Sequence, residues 1–295
     1  MRNHRGRSMQ ELGTKLNASW QLGLDRTASR PLAHEACMAV LRARDPLADY
    51  EAVAAAAEFL WDTGEDLFNA RVLVGAWRER VQELTKDWEA TDALEPRVRA
   101  MLLHGRLDFR ANEYEKARTW NEAAAKQVRL SVGGEAALRE VIARPEPSLP
   151  GKLYCAFLAI QIPVLRTDRA EWPTTVQLHD LYVNDALTII DHLPPYDRLP
   201  ALVTQTFFAL AARADPLDAE TIEYLAELDD QIRAKTPRAQ TTRPLVDMAL
   251  AKFHGDVPGE LAAATLAERK LRDAGLHRHI KALNVRGWWK LRPAA

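Results

Sequence analysis

Three arginines share one face of a predicted helix near the middle of the chain. Arg99, Arg106 and Arg110 follow one another at spacings of seven and four residues, which places the last two within about 20° of Arg99 around an α-helix. Neighbouring guanidinium groups repel, and a bound carboxylate or phosphate would relieve this repulsion and accept bidentate hydrogen bonds. The spacing predicts an anion-binding stripe; the alternatives are a solvated face or arginines paired with acids of the next helix.

A second basic segment lies near the C-terminal end. Between 269 and 292, eight Lys and Arg side chains accompany one acid, Asp273, and a pair of tryptophans. Basic side chains beside exposed aromatic rings can hold phosphates and stack on bases, which makes nucleic acid an alternative partner. The segment could instead pack against the acidic segment 218–232, or its tryptophans could cap the hydrophobic end of the fold. On the nucleic-acid interpretation the predicted contacts are Arg278, Lys281, Arg286, Trp288, Trp289 and Lys290.

An adjacent His179-Asp180 pair lies on another predicted helix. It is similar to the metal-binding doublet of the HD-domain phosphohydrolases, an all-α family that brings a further histidine and aspartate to the same metal. His104 and either Asp185 or Asp191 could be nominated for those roles. A metal-dependent phosphohydrolase is therefore a second alternative function.

Other motifs for catalysis or metal binding give no support for an enzyme. His277 and His279 would point about 200° apart on a helix and could not share one ion. Nucleotide-binding glycine loops, a G-x-S-x-G elbow and an H-E-x-x-H motif do not occur. We assign no catalytic residue, no metal ligand and no cofactor, and we favour a non-enzymatic role while leaving activity open.

The composition favours helices throughout. The chain has 295 residues, with 40 basic and 41 acidic side chains and only 13 glycines. Alanine, leucine, arginine and glutamate are frequent, and runs of β-branched residues are few. We predict an all-α protein of about fourteen helices, arranged as an α-solenoid or an array of helical hairpins.

Residues 98–128 read as two helices meeting near Asn112, and their small residues resemble those of a tetratricopeptide (TPR) unit, which implies a TPR-like α-solenoid. Gly105, Ala117 and Ala124 stand where a TPR unit has small residues for close helix approach, and Tyr114 follows the turn. The stretch therefore resembles one TPR helix pair, although the chain has polar side chains at 108 and 121 where the family usually has large apolar ones. The resemblance implies a concave groove whose ligand contacts are Arg99, Leu102, Arg106, Phe109 and Arg110.

A degenerate second unit is predicted near 51–80. If Leu67 and Ala70 correspond to Tyr114 and Ala117, then Val74 and Trp77 occupy the next inward positions at helical spacing.

The proline- and glycine-rich run at 144–151 is the clearest break in the chain. We predict an N-terminal TPR-like region at 1–145 and a C-terminal helical region with the basic tail at 151–295; one continuous array is the alternative. The apolar segment 153–165 is too short for a bilayer span and predicts a buried helix. No apolar run of signal-peptide type follows the N-terminus, so we expect a cytoplasmic protein without a membrane partner.

The sequence thus favours a helical-repeat binding module or regulator. Its predicted partner is a peptide, a protein segment or a small anionic ligand held in the groove.

Overall fold

A computed structural model describes residues 8–21, 26–62, 67–146, 148–168, 173–191, 199–213, 215–233 and 240–274. These ranges contain thirteen α-helices, two short 3₁₀ turns and no strand. The predicted all-α fold class is confirmed, whereas the solenoid arrangement stays a prediction. The helices are α1 (Met9–Gln21), α2 (Arg26–Ala39), α3 (Tyr50–Asp62), α4 (Leu67–Leu84), α5 (Ala90–Arg110), α6 (Tyr114–Val132), α7 (Glu135–Ile142), α8 (Leu149–Asp168), α9 (Pro173–Asp191), α10 (Leu199–Arg213), α11 (Ala219–Arg233), α12 (Arg243–Phe253) and α13 (Val257–Asp273).

The chain forms two compact units. The first contains Met1–Val40, Glu51–Leu73 and Asp230–Ala295, and the second contains Leu41–Tyr50 and Val74–Asp229. The predicted break near 145–151 lies inside the second unit. The division into an N-terminal and a C-terminal domain stays a prediction.

Helix α8 lies at the centre of the second unit, where it contacts α5, α6, α7, α9 and α10. Its Tyr154, Phe157, Leu158 and Ile162 side chains are fully buried. Burying an aliphatic or aromatic side chain of this size contributes about 1.5–3 kcal/mol. The helix predicted over 153–165 is therefore a core helix, and none of the described helices combines the length and apolarity that a bilayer span needs.

In the first unit, α1 packs against α2, and α12 packs against α13. Met248, Ala264 and Leu271 form a buried cluster in the second of these pairs. A Cβ atom at Gly13 of α1 would lie 2.7 Å from the Cβ of Ala52, so a glycine is needed where α1 meets α3.

A proline usually ends or kinks a helix, so the run R-T-A-S-R-P at 26–31 would be expected to interrupt one. Instead, α2 begins at Arg26 and continues through Pro31. Pro31 is the sixth residue of α2, so this helix lacks the hydrogen bond that an N–H at 31 would donate to the carbonyl of Thr27. In the degenerate unit, Ala70, Val74 and Trp77 of α4 are fully buried, as their spacing predicted; the side chain of Leu67 lies outside the described part.

Candidate ligand site beside the α5–α6 hairpin

The predicted helix pair at 98–128 is present as α5 and α6. The two helices pack against each other and are joined by a three-residue turn, 111–113. In this turn the backbone of Asn112 has a φ of 63°, a left-handed conformation that asparagine adopts more readily than most residues. The N–H of Glu113 donates to the carbonyl of Asp108 at 2.9 Å, which closes the turn.

Arg99, the first member of the predicted stripe, interacts with other parts of its own chain. Its Nη2 lies 2.7 Å from Oε1 of Glu95, one helical turn earlier. Its guanidinium carbon also lies 5.2 Å from the centre of the Tyr50 ring. One acid that pairs with Arg99 is therefore on α5 itself.

The other four predicted groove residues also lie on α5. Leu102 is only 3% exposed and belongs to the core. Phe109 packs against the Tyr114 ring with centroids 5.9 Å apart, while Arg106 and Arg110 are half-buried. Their role in ligand binding stays a prediction.

A cavity of about 490 Å³ lies on a different face of α5, between α4, α5 and α6. Arg97, which lines it, is about 160° around the helix from Arg99. Three of the nine lining side chains are cationic, and none of the nine is acidic. An anion could therefore enter this cavity without meeting a lining carboxylate. The lining residues are Arg78, Val81, Gln82, Lys86, Arg97, Ala100, Met101, Trp120 and Gln127.

Arg97 is fixed by the segment that follows α4. Its Nε donates to Oγ1 of Thr85 at 2.9 Å, and its Nη2 donates to the Thr85 carbonyl at 2.5 Å. Thr85 is fully buried and directs its own hydroxyl to the carbonyl of Val81 at 2.8 Å. The cation at this end of the cavity is thereby held in place before any ligand binds.

Arg78 is held mainly by an aromatic ring. Its guanidinium carbon lies 4.4 Å from the centre of the Trp120 ring, and its Nη2 lies 3.7 Å from Oε1 of the exposed Glu79. The buried Nε of Arg78 has no hydrogen-bond partner among the described residues. The third cation, Lys86, is exposed and lies 3.9 Å from Asp87.

Trp120 also contacts a second planar side chain, His104. The His104 ring is stacked on it with centroids 4.9 Å apart and an interplanar angle of 14°. Trp120, Arg78 and His104 thus form a contiguous set of planar side chains that reaches the cavity wall. No local sequence pattern marks this site, because its residues come from three helices and an intervening turn; only the approach of α4 to the hairpin in the folded chain brings them together.

The His179-Asp180 doublet lies on α9, where the His179 ring is fully buried. Nδ1 of His179 lies 3.2 Å from Oδ1 of Asp180, and Arg213 of α10 binds the same oxygen at 2.7 Å. Of the other nominated residues, His104 stacks on Trp120, and Asp185 accepts a hydrogen bond from Tyr154. Within the described ranges, no group of three or more His, Cys, Asp and Glu side chains is arranged to hold a metal.

Polar side chains cross the core between α6, α8 and α9. Asn121 donates from Nδ2 to Oε1 of Gln161 at 2.9 Å, and Gln161 donates to Glu122 at 3.3 Å. The Tyr182 hydroxyl donates to the same Glu122 oxygen at 3.1 Å and accepts from Arg129 at 3.1 Å. Asn121 and Gln161 are both buried, and the other three bonds join a buried side chain to the half-buried Glu122 or Arg129. The network therefore fixes the relative positions of the three helices.

Tyr154 and Asp185 form a separate buried pair. The tyrosine hydroxyl donates to Oδ2 of Asp185 at 2.7 Å. Burial raises the pKa of Asp185 above its ordinary value, against the lowering effects of the Tyr154 hydrogen bond and of Arg139. Burial and the neighbouring Asp185 charge also raise the pKa of the Tyr154 hydroxyl.

The predicted nucleic-acid contacts lie outside the described residues. The same holds for His277 and His279.

The described helices define an all-α protein. No protein-family model, no curated protein and no solved structure matches the chain.

Proposed function

We propose that this chain is a TPR-like helical-repeat binding module, acting in the cytoplasm as a scaffold or regulator. It holds an anionic ligand, either a small molecule or an acidic segment of another protein. The observation that carries this proposal is the cavity between α4, α5 and α6, which has three cationic lining residues and no acidic one.

The charge of the lining is what favours an anion. Placing three cations around one cavity is electrostatically unfavourable, and a bound carboxylate or phosphate would reduce their mutual repulsion. Arginine suits this role because its planar fork of N–H donors matches two oxygens at once. Arg78 lines the cavity with its guanidinium over Trp120, and the Nε of this group has no hydrogen-bond partner among the described residues.

The α5 stripe is the competing location for the same function. A ligand there would have to compete with Glu95 for Arg99, since these two side chains already form an ion pair at 2.7 Å. In the cavity, Arg78 has only a 3.7 Å approach to an exposed glutamate. The balance of these contacts favours the cavity over the stripe.

Isothermal titration with citrate at low ionic strength tests the proposal. We expect Arg78→Gln to weaken citrate binding about tenfold or more, because a hydrogen bond to a charged group contributes about 1.5–3 kcal/mol. Arg106→Gln, a substitution of the same type on the stripe, should leave the affinity unchanged. The reverse result would move the site to the stripe, and the absence of binding to citrate, inorganic phosphate and aromatic carboxylates alike would refute the proposal.

A further inference from the structure

We infer that the ligand of the α4–α5–α6 cavity is a small aromatic carboxylate, a flat ring of one or two fused cycles that bears a single acid group. This inference rests on the proposed function and narrows it to a chemical class. It comes from the shape and chemistry of the cavity wall, which pairs planar side chains with fixed cationic donors.

The wall offers a surface that a flat ring can contact. The Arg78 guanidinium lies over Trp120 at 4.4 Å, and both line the cavity. A guanidinium plane stacks on aromatic faces, and aromatic rings attract one another in offset and edge-on arrangements. A ligand ring along this wall would extend the stack that His104, Trp120 and Arg78 already form.

The remaining apolar lining also suits a ring. Ala100 leaves room beside α5, and Val81 adds a branched aliphatic surface from α4. Met101 contributes a polarizable sulfur, a group that makes favourable contacts with aromatic rings. With Trp120, four of the nine lining side chains are apolar, so a bare inorganic anion would leave much of the wall uncovered.

The acid group has a defined place to bind. Arg97 is immobilised by its two bonds to Thr85, so little side-chain entropy is lost when it binds a carboxylate. The exposed Lys86 can move toward the same group, and the amides of Gln82 and Gln127 are available for polar substituents on the ring. The cavity therefore has one charged end and one flat, mostly apolar end.

The volume agrees with this class of ligand. Small-molecule pockets span about 300–1,000 Å³, and the cavity measures about 490 Å³. It lies near the lower end of that range, where one or two fused rings with an acid group fit better than an extended chain.

Benzoate and cyclohexanecarboxylate have the same charge and the same number of carbons. Comparing their affinities therefore separates the effect of aromaticity from that of charge. We expect the wild-type protein to bind benzoate about 2- to 10-fold more tightly in isothermal titration, the range that an aromatic contact provides beyond simple burial. Trp120→Leu should abolish this preference while changing the affinity for cyclohexanecarboxylate less than about twofold. The matched control is Trp88→Leu, because Trp88 is 40% exposed and does not line the cavity; it should keep the preference.

A second variant tests the inference in case Trp120→Leu does not fold. Arg78→Lys retains the charge but loses the planar guanidinium, and it should also reduce the preference for benzoate. Equal affinities for the two acids in the wild-type protein would overturn the inference. If Arg78→Gln then loses binding of both acids, the anion site of the proposed function still stands. If the two acids, citrate and inorganic phosphate all fail to bind at millimolar concentration, both this inference and the proposed function fail.

Discussion

A Cβ atom at Gly105 of α5 would lie 2.1 Å from Oδ1 of Asn121 of α6. Asn121 has little freedom to move aside, because it is fully buried and its Nδ2 donates to Gln161 at 2.9 Å. The same Cβ would lie 3.1 Å from the backbone oxygen of Ala117. The spacing of the hairpin therefore depends on the absence of a side chain at 105.

Gly105→Ala should lower the free energy of unfolding by about 1–3 kcal/mol, the usual cost of adding an atom to a tightly packed site. Urea denaturation followed by circular dichroism measures this change. The matched control is Gly75→Ala in the middle of α4, where a Cβ atom meets nothing within 4 Å. There the substitution should stabilise by about 0.5–1 kcal/mol, because alanine is the better helix former. If both variants gained stability, the close approach at Gly105 would not constrain the hairpin.

The hairpin itself could be predicted because its signals are local. Gly105, Ala117 and Asn112 mark a close approach and a turn within one short stretch, and the structure has α5 and α6 joined at that turn. The consequence of a polar residue at 121 could not be predicted in the same way. Its partner, Gln161, is 40 residues further along the chain, so the sequence gives no local sign of the hydrogen bond.

The candidate sites also combine contacts that are local in sequence with contacts between distant residues. The Arg99–Glu95 ion pair follows i,i+4 spacing and could have been expected from the sequence. The contact between Arg99 and Tyr50 could not, because it depends on how distant segments fold together. The cavity depends on the same kind of information, since Arg78 and Trp120 are 42 positions apart (120 − 78) and meet only in the folded second unit.

Asp185 should make stability depend on pH in a defined direction. Because its pKa is raised in the folded protein, the native state holds a proton there that the unfolded chain releases near the ordinary carboxyl pKa of about 4. Stability therefore falls as pH rises from about 4 through the folded pKa, and the loss is complete above it.

Replacing this carboxyl with an amide should remove its contribution. Asp185→Asn retains an oxygen that can accept from Tyr154 but cannot ionise. In urea titrations at a series of pH values, the variant should become progressively more stable relative to the wild type as pH rises above about 4. Asp191→Asn is the matched substitution, since Asp191 lies exposed on the same helix. A difference between Asp185→Asn and the wild type that stayed constant with pH would contradict the prediction.

Arg97 should contribute to stability as well as to the cavity, because it joins α5 to the end of α4. The helix ends at Leu84, and the next carbonyl, that of Thr85, accepts from Nη2 of Arg97 at 2.5 Å. A cation at a helix C-terminus also interacts favourably with the helix dipole. Arg97→Ala would leave the buried Thr85 without these two donors.

We therefore expect Arg97→Ala to lower the free energy of unfolding by about 1.5–3 kcal/mol. Lys86→Ala, which removes an exposed cation from the same cavity, should change it by less than about 0.5 kcal/mol. Hydrogen exchange at the last turn of α4 should accelerate in the Arg97 variant alone. Equal stability of the two variants would show that the bonds to Thr85 add nothing. If the prediction holds, weaker ligand binding by Arg97→Ala would have two causes, the lost charge and a less rigid cavity wall. Arg78 is held by the Trp120 ring and one long ion pair. Substitution of Arg78 is therefore the more direct test of the anion site.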